Sequence, residues 1–107
     1  MAEHQPPSAQ GVLRGIDMLL RHRPERDSHD FSAVMRNLTA YRDHVIGRIR
    51  QKGNPPASLE RLSRLNAVIS SVYGVHYPIG SPSWALLEKA RGAFADVSAA
   101  LAAAEEE

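Results

Sequence analysis

The chain contains no cysteine. That excludes disulfide staples, thiolate metal sites and a cysteine nucleophile. Lysine is scarce too: Lys52 and Lys89 stand alone, and neither sits in a pattern that marks a desolvated catalytic amine. Charge of one sign is also missing. Thirteen Lys and Arg face 12 Asp and Glu, for a net charge of +1, so no global field points to nucleic acid or to a membrane. No apolar run approaches the roughly 18 residues of a membrane span. The opening "MAEHQPPSAQ" lacks the apolar stretch of a secretory signal. Strand signals are nearly absent: "VISSVYGV" is the one β-branched run, and its helical flanks outweigh it. With no strand, no Gly-rich phosphate loop can follow one. These absences lead us to expect a cytoplasmic, non-catalytic protein without cofactor or metal, acting through a protein partner or through self-association. Neither a membrane nor nucleic acid is expected.

What is present is helical periodicity. The length of 107 residues suits one domain with one modest core. Pro6 and Pro7 oppose regular structure near the start, so residues 1–7 read as a disordered arm, and Ser8 is placed to cap a first helix. Val12, Leu13, Ile16, Leu19 and Leu20 then share one helical face, and Pro24 stops that helix near His22. Asp27, Ser28 and Asp30 are candidate caps for a second helix. Its stripe of Phe31, Val34, Leu38, Tyr41, Val45 and Ile49 runs for about five turns. Gly53 and "NPP" end it.

Asn54 or Ser58 is the expected cap of a third helix, striped by Leu59, Leu62, Leu65, Ile69 and Val72 and stopped by Gly74. Ser81 followed by Pro82 reads as the start of a fourth. Trp84, Leu87, Ala90, Phe94, Val97 and Leu101 form its apolar face. The closing "EEE" opposes the helix dipole, so the final turn is expected to fray. The fold class is therefore all-α: a four-helix up-down-up-down bundle whose first helix is the shortest. Residues 8–104 form the domain, and 105–107 form a frayed acidic tail.

In that topology the first and third connectors share one end of the bundle. One connector brings Arg21, His22, Arg23, Arg26 and His29, and the other brings His76, Tyr77 and Ile79. Aromatic rings beside arginines are favoured at protein interfaces. Arg23, Arg26, His76 and Tyr77 are thus the expected partner-binding residues. The stretch "YGVHYPIGSPSW", residues 73–84, carries two readings: a contact site, or a lid whose Tyr73, Val75, Ile79 and Trp84 close the core. No histidine pair has the i, i+4 spacing of a helical zinc site. The alanine-rich fourth helix, with small residues on more than one face, raises homodimerisation as an alternative.

A second alternative comes from "HVIGR". Histidine phosphotransfer domains are bundles of about this size, with an exposed helical histidine followed by Lys three residues on and Gly four residues on. Here Gly47 follows His44 by three and Arg48 by four. The stretch resembles that motif with the small and basic positions exchanged. The resemblance implies His44 as a phosphoacceptor.

Overall fold

The structure is a computed structural model that describes residues 8–25, 28–76 and 83–105. All regular structure among them is helical: α1 (Ala9–His22), α2 (His29–Gln51), α3 (Pro56–His76) and α4 (Trp84–Glu105). The all-α four-helix expectation holds, and α1 is the shortest helix. The arm at residues 1–7 and the last two glutamates lie outside the described residues.

The helix ends show which signals acted. Ser8 caps α1 as expected, its Oγ accepting from the Gly11 N–H at 3.0 Å. The helix closes on Arg23, which adopts a left-handed conformation (φ 45°) and donates its N–H to the Leu19 carbonyl at 2.8 Å. Of the three candidate caps for α2, Ser28 is the one that works: its Oγ accepts from the Phe31 N–H. Asp30 instead lies in the first turn, where a carboxylate complements the dipole. Asp27 lies outside the described residues.

α2 ends in a Schellman motif. The Asn54 N–H reaches the Ile49 carbonyl, and the Gly53 N–H reaches that of Arg50. Gly53 takes φ +80°, a conformation open to glycine without steric cost.

Three boundaries differ from expectation. Neither Asn54 nor Ser58 caps α3. Asn54 completes the preceding turn at φ 56°, and Ser58 already lies inside the helix. Pro55 supplies the first accepting carbonyl, to the Leu59 N–H, and Pro56 occupies the first helical position, where its missing N–H costs nothing. Gly74 does not stop α3, which continues to His76. A glycine inside a helix costs about 1 kcal/mol relative to alanine, and burial of Val75 one residue later outweighs that. At α4 the cap is Ser83, whose Oγ accepts from the Leu86 N–H. Ser81 and Pro82 lie outside the described residues. α4 runs to Glu105.

One core holds the helices together. The predicted stripes supply most of it: Ile16, Leu19, Phe31, Leu38, Leu65, Val72, Leu87 and Phe94 are all buried. Fully burying an aliphatic or Phe side chain stabilises by about 1.5–3 kcal/mol. Met35, Val68 and Val75 join the core beyond the predicted stripes, while Leu59 is 44% exposed. α1 packs against α2 and α4, and α3 also packs against α2 and α4. The pairs α1/α3 and α2/α4 are therefore diagonal. Across the α2/α4 diagonal, Phe31 meets Trp84 with ring centroids 5.8 Å apart, and Tyr41 meets Phe94 at 5.4 Å. The second contact lies ten residues beyond the first along both helices, so α2 and α4 run parallel. An up-down-up-down order produces the same neighbours and the same parallel diagonal.

Candidate functional site

The parallel α2/α4 pair determines which chain segments meet at each end. Phe31 lies in the first turn of α2, and Trp84 is the first residue of α4. Their contact brings the starts of α2 and α4 to one end of the bundle. Arg21, His22 and Arg23 are exposed there, at the close of α1. Leu86, in the first turn of α4, is 40% exposed, and Trp84 is half-buried.

Of the four residues expected to bind a partner, Arg23 is exposed and has its backbone pinned to Leu19. His76 is the last residue of α3. Arg26 and Tyr77 lie outside the described residues, as does Ile79. The question raised by residues 73–84 resolves for its first part. Tyr73 and Val75 belong to α3, Val75 is fully buried, and Tyr73 is half-buried with its hydroxyl 3.1 Å from Thr39 Oγ1. These two are structural. Trp84, packed on Phe31, is anchored by its ring contact and half-buried.

The opposite end holds a pocket of about 210 Å³, bordered by all four helices. Its apolar wall comes from Tyr41, Val45, Ile49 and Leu101. His44, Arg48 and Lys52 line it on the α2 side, and Ser58 and Ser98 add hydroxyls. Helical spacing explains the α2 contribution: residues 41, 44, 45, 48, 49 and 52 follow one face. His44 is half-buried in this wall. Among the described residues no group of three or more His, Asp or Glu is arranged to hold a metal ion.

Sequence reasoning missed two features. Asp17 and Arg91 join α1 to α4 in a two-point contact, with Arg91 Nε donating to Oδ1 at 2.7 Å and Nη2 to Oδ2 at 3.2 Å. The hydrogen bond to Asp17, and then its charge, raise the Arg91 pKa above its ordinary value. A raised pKa favours the folded state fully below the ordinary arginine range, and that contribution is lost only as pH climbs through the raised value. The pair therefore does not lose strength through arginine titration near neutrality. Nothing local signals a partnership across 74 residues. Ser98 is the second feature. It is buried on the core side of α4, its Oγ donating to the Ala95 carbonyl at 3.2 Å. Its place beside Val97 was legible, but the pocket it borders was not. No protein-family model matches the chain, no curated protein matches it, and no solved structure matches it.

Proposed function

We propose that this protein is a small non-catalytic helical binding module, an adaptor or accessory subunit. Its contact surface is the bundle end that carries the first and third connectors. One observation supports the reading most: exposed Arg21, His22 and Arg23 share that end with exposed Leu86 and half-exposed Trp84. Arginine and tryptophan are enriched among interface residues that dominate binding energy. Cationic and apolar groups side by side suit a protein partner with acidic and apolar side chains. The left-handed backbone of Arg23 and the cap at Ser83 hold both flanks in defined positions. Arg26, His76 and Tyr77 belong to the same proposed surface on sequence grounds.

The reading includes a cytoplasmic setting, with which the cysteine-free composition is compatible. It is compatible with a chain in which no described helix is long and apolar enough to cross a membrane.

The test compares bait proteins in lysate of the native host. Wild type is run beside an Arg21→Ala/Arg23→Ala/Leu86→Ser variant whose circular dichroism matches wild type. All three positions are exposed, so the fold should survive. The expected result is a protein enriched by wild type and lost with the variant. Equal retention by both baits moves the function to another face. A solution mass near twice 11.8 kDa that returns to the monomer value in the variant would make the partner a second copy of the chain.

A further inference from the structure

The outer face of α4 lies between the two ends of the bundle, and its charges are arranged to match themselves. We infer that it docks against the same face of a second copy of the chain, with the two α4 helices antiparallel about a two-fold axis at Gly92 and Ala93. Three observations carry the inference.

The first is a pair of charges without partners. Lys89 and Asp96 are exposed, and neither makes a hydrogen bond or ion pair with any of the described residues. They stand two turns apart on one face, about 10 Å along the axis, too far to meet each other. On a helix a charge can reach neighbours three and four positions away. For Lys89 these within α4 are Ala85, Leu86, Gly92 and Ala93, and for Asp96 they are Gly92, Ala93, Ala99 and Ala100. None of them can answer a charge.

The second is register. Positions 89 and 96 are symmetric about the point between Gly92 and Ala93. An antiparallel copy centred there sets Lys89 across from the partner's Asp96, and Asp96 across from the partner's Lys89. A parallel pair would instead set lysine by lysine and aspartate by aspartate. Antiparallel packing also brings opposite ends of the helix dipoles together. A two-fold contact uses one patch twice, and this patch is self-complementary.

The third is room. Gly92, Ala93 and Ala99 are exposed on this side of α4, and a methyl group on Gly92 would meet nothing within 4 Å. Across such small residues helix axes can approach to about 8 Å, close enough for the lysine and aspartate to pair. Leu86 lies to one side of this line and stays with the proposed contact end. The contact is one helix wide and falls short of the roughly 800 Å² per partner of a standard interface, so the dimer is weak.

Sedimentation equilibrium of the full chain at low salt tests the inference. The mass should rise from 11.8 kDa toward twice that value, with half-association near about 0.1 mM. Lys89→Glu alone and Asp96→Lys alone should each weaken self-association by about tenfold or more, because both bridges become like-charge pairs. An equimolar mixture of the two variants should restore it, since each introduced charge then meets its opposite on the other chain. Both positions are exposed, so circular dichroism should match wild type throughout. Arg21→Ala/Arg23→Ala, at the proposed contact end, should leave the mass curve unchanged, which separates this face from that surface.

The inference is overturned if wild type stays monomeric up to about 1 mM, or if either single variant associates as wild type does. A mixture that fails to recover overturns the pairing of residue 89 with residue 96. Loss of the dimer in Arg21→Ala/Arg23→Ala overturns the location and moves self-association to the contact end.

Discussion

Gly15 and Gly47 both lie inside helices, and a methyl group would act differently at each. On Gly15 it would fall 3.0 Å from Val34 Cγ2, whereas on Gly47 nothing lies within 4 Å. Gly15 therefore marks the close approach of α1 to α2, and Gly47 is a tolerated surface position. Gly47→Ala should stabilise the fold by about 0.5–1 kcal/mol through helix propensity and a less free unfolded chain. Gly53→Ala should do the reverse. Open space surrounds it, but its φ of +80° strains any residue with a Cβ, at a cost of about 1–2 kcal/mol. Urea denaturation of the two variants measures both signs, and a stabilised Gly53→Ala would contradict the left-handed turn after α2. Ser98 belongs at this scale too. Its identity is readable in the sequence, but its exposure is not, because burial depends on what packs against α4.

At the scale of the element, α3 is the instructive helix. Gly74 reads as a stop, yet the helix passes through it to His76. The local signal was a modest propensity, and it lost to two tertiary contacts: burial of Val75 and the Tyr73 hydroxyl against Thr39. Val75→Ala should cost about 2 kcal/mol, as expected for removing two buried methyl groups. Thr39→Val keeps the shape but removes a hydroxyl, and it should cost about 0.5–1.5 kcal/mol. Thermal unfolding followed at 222 nm checks both. A neutral Val75→Ala would mean that residues 73–76 are only a lid and not part of the core. The stripes of α1, α2 and α4 were legible because their apolar residues recur at helical spacing over whole elements. The caps were legible only as sets of candidates, since several oxygen-bearing residues crowd each start and the backbone chooses among them.

The whole molecule is one core ringed by four helices, and cooperativity is the property of that scale. Trp84 is the single tryptophan, and it sits at one end of the bundle against Phe31. Tyr41 and Phe94 meet farther along the same diagonal. Because Phe31, Phe94, Leu38 and Leu87 belong to one continuous cluster, tryptophan fluorescence and helical circular dichroism should report the same urea midpoint. An earlier fluorescence transition would mean that the proposed contact end opens separately from the core. The Asp17–Arg91 pair adds a salt-sensitive tie between α1 and α4. Coupling between Asp17→Asn and Arg91→Gln in a double-mutant cycle should shrink as salt rises, because both side chains are more than a third exposed.

By itself the sequence determined the number of helices, their approximate limits and the face that each turns inward. Periodicity and caps are local, and local interactions are written in neighbouring residues. The tertiary structure decided the rest. It set the extension of α3 past Gly74, the joining of Asp17 to Arg91, and the half-buried place of His44. It also gathered residues from four helix ends into one pocket. These depend on which faces meet across the core, and that is settled by the packing of side chains far apart in the chain.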